Sequence, residues 1–107
     1  MEFIGRIKND IKLYESDIKI VLFGAGNGLD ELLNILNDMN IRERVVCICD
    51  NDLKKQGNNV EGLRVNSLEY TSQHYGDAIY IVYNKFCIEI CKQLLKNNIK
   101  KIHLIRS

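Results

Sequence analysis

Hydrophobic residues in this chain either form short continuous runs or recur at helical spacing. The runs at 18–23, 44–49 and 78–83 predict strands buried on both faces of a sheet. Shorter runs at 63–65 and 102–105 predict two further strands. Apolar residues three or four positions apart between the runs predict amphipathic helices, including one at the N-terminus over residues 1–16.

Strands and helices alternate after the N-terminal helix in the order β-α-β-β-α-β-α-β. This order predicts an α/β fold, a small doubly wound parallel sheet of about five strands, because parallel neighbours require crossover connections. The expected strand order is 3-2-1-4-5. The polar segment 50–62 has no period and is interpreted as a loop. Residues 1–107 are interpreted as one Rossmann-like domain of nucleotide-binding type, with the sheet and its helices over 18–106.

Three polar residues lie where a predicted helix begins. Asn27, Ser67 and Asn84 each precede an apolar residue that starts the helical spacing. Their side chains can accept a hydrogen bond from a backbone N–H of the first turn, so we predict all three as N-caps.

Composition limits the possible classes of protein. The 107 residues (12.4 kDa) include 46% hydrophobic and 27% charged residues, which is typical of a globular domain. No apolar run approaches the ~20 residues of a membrane span, and the first residues lack the apolar stretch of a signal peptide. We therefore expect a cytoplasmic protein that does not bind membranes. The net charge of +1 gives no indication of nucleic-acid binding.

Four cysteines offer little chemistry. Cys47 and Cys49 alternate on a predicted strand, and Cys87 and Cys91 lie one helical turn apart. Because all four fall in apolar runs, they are interpreted as core residues; a zinc site is the alternative. No metal site is predicted.

The turn after the first long strand carries the clearest functional signal. In the sequence VLFGAGNGLDELL, a strand ends at a glycine-rich turn and a helix follows. Gly24 suits a turn with positive φ, and Gly26 leaves no Cβ to block a phosphate. Backbone N–H groups at the start of the helix would then face the anion. The predicted phosphate-binding residues are Gly24, Ala25, Gly26, Asn27 and Gly28.

One position departs from the GxGxxG pattern of dinucleotide-binding proteins. Leu29 stands where the third glycine belongs, and Gly28 comes one place earlier. Either the helix stands away from the sheet or the loop has another shape. This departure weakens the case for a full dinucleotide such as NAD(P) and leaves the phosphate-binding argument intact, while a purely structural glycine turn remains the alternative.

Polar residues at two other strand ends complete the predicted site. Asp50, with Asn51 beside it, ends the second strand, where a carboxylate can accept hydrogen bonds from ribose hydroxyls. After the fourth strand, Tyr83 could stack on a ring, Asn84 could hydrogen-bond a base or sugar, and Lys85 could complement a phosphate. A helix cap and a solvated lysine are the alternatives for Asn84 and Lys85. Lys54 and Lys55 are interpreted as solvated loop residues, with a phosphate contact as their alternative.

These motifs resemble a known group of domains. The segments KIVLFGAGNG, VVCICDND, EGLRVNSLEY and DAIYIV are similar to the compact Rossmann-like N-terminal domains of bacterial nucleotide-sugar enzymes. Examples are sugar N-acyltransferases with hexapeptide-repeat bodies and polysaccharide-biosynthesis dehydratases. The resemblance covers roughly residues 18–105. It implies a UDP-sugar or other nucleotide as ligand, with the phosphates at the glycine turn and the ribose or base near Asp50.

Catalysis by this chain alone is not expected. His74 and His103 have no nucleophile or acid at a spacing that suggests a triad, and His103 is expected to point outward or to pack at a sheet edge. The favoured function is a binding module for a nucleotide or nucleotide-sugar. A homodimer, or a partner domain or subunit outside this sequence, is compatible with that function. The alternatives are an interaction domain that has lost its ligand and a small NAD(P)-binding domain separated from its catalytic partner.

Overall fold

The architecture is an α/β sheet with helices on both faces. The computed structural model describes residues 17–105, and the backbone of Glu2 and Phe3. Its strands and helices, in chain order, are β1 (Glu2–Phe3), β2 (Ile20–Phe23), α1 (Leu29–Asp38), β3 (Val45–Cys49), β4 (Asn59–Val60), β5 (Leu63–Asn66), α2 (Leu68–His74), β6 (Ile79–Tyr83), α3 (Cys87–Lys96) and β7 (Lys101–Ile105), with a 3-10 turn at Arg42–Arg44 before β3. No helix in this part of the chain is long and apolar enough to cross a membrane.

The strands form one sheet in the order β1-β7-β6-β2-β3-β5-β4. All neighbours are parallel except β4 and β5, which form an antiparallel hairpin. The five predicted strands lie in the order 3-2-1-4-5, so that prediction is confirmed. The sheet is doubly wound because the chain adds strands on both sides of the central strand β2. It first places β3 and β5 on one side, and later β6 and β7 on the other.

Alternation along the central strands divides the core into two layers. Ile20 and Leu22 of β2 pack with the buried leucines of α1 on one face. Val21 and Phe23 point to the other face, where they pack with residues of α2 and α3. Leu29 is buried in the first layer, 5% exposed, so the side chain that replaces the third glycine is part of the core.

Two predicted segments differ from the structure. Glu2–Phe3 pairs with β7 as a strand, so a helix does not begin at Glu2; the rest of the predicted N-terminal helix lies outside the described residues. The predicted loop at 50–62 ends in the hairpin of β4 and β5. Glu61 (φ 53°) and Gly62 (φ 78°) both adopt the left-handed conformation that a tight two-residue hairpin turn requires.

Of the predicted N-caps, only Ser67 is confirmed. Its hydroxyl oxygen accepts a hydrogen bond from Tyr70 N at 3.1 Å. Helix α1 begins after Gly28, which has no side chain to form a cap, so Asn27 is not the N-cap. Helix α3 begins after Phe86, and Asn84 Oδ1 instead accepts from Phe86 N at 2.8 Å in the turn before the helix.

The buried cysteines predict a loss of stability at alkaline pH. Burial raises the pKa of the Cys49 thiol from 9.0 to about 12 and also raises the pKa of Cys47. In the unfolded chain these thiols ionise near pH 9, so unfolding releases protons that the folded chain retains. The free energy of unfolding should therefore fall by a few kcal/mol as the pH rises from about 9 toward 12. Urea titrations across this range measure it, and Cys49→Ala should show a shallower decline; identical pH profiles for the two proteins would contradict the prediction.

Candidate functional site

Three parallel strands end side by side and bring the predicted site together. Phe23 of β2 is in register with Cys49 of β3 and with Val82 of β6. The loops that follow these strands therefore meet at one edge of the sheet, where the two flanking crossovers turn to opposite faces. They enclose an open cleft of about 560 Å³.

Most of the predicted binding residues line this cleft. The glycine turn contributes Gly24, Gly26, Asn27 and Gly28, and the residue after β3 contributes Asp50. The end of β6 and the segment after it contribute Tyr83, Asn84 and Lys85. Ala25 and Asn51 do not line it. The Asn51 side chain instead exchanges two hydrogen bonds, of 2.8 and 2.9 Å, with Gln93 of α3.

The glycine turn is shaped by left-handed backbone at Gly24 (φ 114°) and Gly28 (φ 90°). A Cβ at Gly28 would lie 3.1 Å from the Tyr83 ring, so this position excludes side chains on two grounds. Gly26 lies between them, exposed. A Cβ added at Gly26 would lie 3.2 Å from Lys55 Nζ. Apart from the two chain neighbours, no other atom of the described residues would lie within 4 Å of it.

Asp50 fixes the turn against the end of β3. Its Oδ2 accepts a hydrogen bond from Ala25 N at 2.8 Å, and its Oδ1 accepts one from Asp52 N at 2.8 Å. Gly24 N donates to Cys49 O at 2.8 Å, so pairing of β2 with β3 continues into the turn. A carboxylate offers about four lone-pair sites, so two remain for a ligand.

The backbone next to this anchor presents unused donors. Within the residues that the structure describes, the N–H groups of Gly26, Asn27 and Gly28 have no hydrogen-bond acceptor, whereas Leu29 N approaches Gly26 O at 3.3 Å. The three unused N–H groups lie just before the ten-residue helix α1, whose aligned peptide dipoles add positive potential at its N-terminus. Such a group of N–H donors favours an anion.

The opposite wall of the cleft is formed by the segment after β6. Asn84 Nδ2 lies 4.0 Å from where a Cβ of Gly24 would be, which places its amide beside the turn. The interaction of its hydroxyl with the Glu31 carboxylate raises the pKa of Tyr83. Lys85 Nζ lies 5.2 Å from the centre of the Phe86 ring.

Lys55 also lines the cleft, although the sequence favoured a solvated interpretation. Its side chain is half-buried, whereas the neighbouring Lys54 is exposed and lies outside the cleft. The only sequence signal for it was its place on the loop directly after Asp50. Which of two adjacent lysines turns inward depends on the fold of that loop.

The histidines and cysteines lie elsewhere. His74 is exposed at the end of α2, with its ring stacked 3.9 Å from the Tyr70 ring. His103 is fully buried in β7 between β1 and β6, so it neither points outward nor lies at a sheet edge. Cys47 and Cys49 share one buried face of the sheet, as predicted. No group of three or more His, Cys, Asp or Glu residues in the described part of the chain could hold a metal ion.

A family model for the C2185-like N-terminal domain matches residues 14–105. The chain belongs to this family. The crystal structure of RSP, a Rex-family repressor, is similar in fold, with a TM-score of 0.61 at 18% sequence identity. The match covers 94% of this chain and 51% of the repressor chain, so the chain spans about half of that protein's length. No curated protein matches the sequence.

The comparisons correct the resemblance drawn from the sequence motifs. The matching family is not that of the sugar N-acyltransferases or the polysaccharide-biosynthesis dehydratases, so that assignment is wrong. The motifs on which it rested, a glycine turn after one strand and an acid after the next, are shared by many Rossmann-like sheets. What they determined was the α/β fold, which the repressor structure shares.

Proposed function

We propose that this C2185-like domain binds a nucleotide in the cleft at the carboxyl ends of β2, β3 and β6. The phosphate lies at the glycine turn, and the ribose hydroxyls donate to Asp50. The observation that carries the proposal is the row of three backbone N–H groups without acceptors, beside a glycine whose missing side chain leaves them accessible.

The dimensions and chemistry of the cleft support a ligand of this size. Its volume of about 560 Å³ lies within the range of small-molecule sites. A phosphate accepts several hydrogen bonds, and the backbone N–H groups before a helix can donate them. Asp50 already accepts two backbone N–H groups, which holds its carboxylate in place with two lone-pair sites free for a ribose.

A ligand screen tests the proposal. Thermal unfolding should be measured with ADP, UDP, GDP, CDP, NAD and NADP at millimolar concentration. A ligand present at a hundred times its Kd stabilises the fold by about 2.7 kcal/mol, which raises the Tm of a domain of this size by roughly 10 °C. Calorimetry on any ligand that shifts the Tm then gives the stoichiometry. If none of the six raises the Tm, the nucleotide proposal is wrong and the interaction-domain alternative gains support.

A further inference from the structure

Lys55 places an ammonium group at the most accessible part of the glycine turn. Its Nζ lies 3.2 Å from the position that a Cβ of Gly26 would occupy, so it approaches the backbone where no side chain intervenes. The same stretch of turn carries the unused N–H groups of Gly26 and Asn27. Two kinds of donor for an anion therefore converge there, a cation and backbone amides.

This ammonium forms no ion pair with the described residues. No carboxylate oxygen of theirs lies within 4.0 Å of Lys55 Nζ, and none of their atoms accepts a hydrogen bond from it, although Asp50 and Glu31 line the same cleft. Because the Lys55 residue is half-buried in the cleft, its charge is screened less than that of an exposed lysine, so an anion entering the cleft gains more from it.

The loop that carries Lys55 is held by its own hydrogen bonds. Lys55 N donates to Asp52 O at 2.9 Å, Gln56 Nε2 donates to Asp50 O at 2.9 Å, and Gly57 N donates to Val65 O at 2.8 Å. These bonds tie both ends of the loop to the sheet through β3 and β5. The backbone from which the Lys55 side chain extends is therefore held in place.

The charges in the cleft locate the anion more narrowly. Glu31 lines the cleft and raises the pKa of Tyr83, whose ring lies against Gly28, so a carboxylate lies toward the Gly28 end of the turn. That charge offsets part of the attraction of the Gly28 N–H group for a phosphate. At the Gly26 end the Asp50 carboxylate accepts from Ala25 N, and the Lys55 ammonium over Gly26 offsets that negative charge, so this end is the favourable position.

We infer that Lys55 is the phosphate-binding cation of this cleft and that the site therefore selects phosphorylated nucleosides over nucleosides. The phosphate lies between the Lys55 ammonium and the N–H groups of Gly26 and Asn27. This inference rests on the proposed nucleotide function and adds to it the residue that determines recognition of the phosphate.

The test compares two adjacent lysines by calorimetry. Adenosine, AMP and ADP, and uridine, UMP and UDP, are titrated into the parent chain, Lys55→Ala and Lys54→Ala. Loss of a charge-assisted contact should weaken binding of the phosphorylated ligands roughly 10- to 100-fold in Lys55→Ala and leave nucleoside binding unchanged. Lys54→Ala should match the parent, and Lys55→Arg should retain most of the affinity because the cation is kept.

The outcomes separate the inference from the function on which it rests. If phosphorylated ligands bind and the two alanine variants behave alike, or if nucleoside and nucleotide bind equally to the parent, the role of Lys55 is wrong while nucleotide binding stands. If no compound of either series binds the parent, the role of Lys55 is overturned, and if GDP, CDP, NAD and NADP also fail to raise its Tm, the nucleotide function is overturned with it.

Discussion

Gly26→Val is expected to weaken nucleotide binding roughly 100-fold or more and to leave the stability of the fold nearly unchanged. A valine side chain at this position enters the cleft and occupies the space in which a phosphate would meet the backbone N–H groups. The fold tolerates the change because Gly26 is exposed and its φ lies outside the left-handed region. The only described contact of the new Cβ, Lys55 Nζ, is the mobile end of a long side chain.

Calorimetry with the ligand identified by thermal shift measures the affinity, and urea unfolding measures the stability. Asn34→Val, at an exposed position on α1 outside the cleft, is a control for adding an apolar side chain. If Gly26→Val binds as tightly as the parent, the ligand does not lie at the glycine turn.

Asp50→Ala is expected to lower the free energy of unfolding by about 2–4 kcal/mol, in addition to weakening nucleotide binding. The substitution leaves the N–H groups of Ala25 and Asp52 without the carboxylate oxygens that accept them at 2.8 Å. The bond from Ala25 is partly buried, so water replaces it incompletely. The glycine turn also loses its side-chain link to β3.

Asp52→Ala is the matched control for this prediction. Its Oδ1 accepts one hydrogen bond, from Lys54 N at 2.9 Å, at an exposed position, so its removal should cost less than about 1 kcal/mol. Urea titrations of both variants give the comparison. Equal losses for the two substitutions would show that Asp50 does not anchor the turn.

The parallel sheet was predictable because its signals are local and strong. Each central strand is a run of apolar residues, and each helix between strands repeats its apolar residues at helical spacing, so the order of elements left few topologies open. The hairpin of β4 and β5 was missed because β4 has only two residues, too few for an alternating pattern.

The predicted N-cap of α1 was wrong because the backbone, and not the side chain, sets the start of this helix. A sequence shows that Asn27 can accept a hydrogen bond, but the left-handed backbone of Gly28 determines where the helix begins. At Ser67, where the preceding chain is extended, the same reasoning from side-chain chemistry was correct.

The strand order, the glycine turn and the acid after β3 could be predicted from the residues alone, because apolar periodicity and glycine act through neighbouring residues. The folded chain was needed to show that Asp50 anchors Ala25, that Asn51 turns away to Gln93, and that Lys55 rather than Lys54 lies over Gly26. These contacts join residues far apart in the chain or depend on the hydrogen bonds of one loop. Spacing along the sequence carries no information about the direction of a side chain across such a cleft.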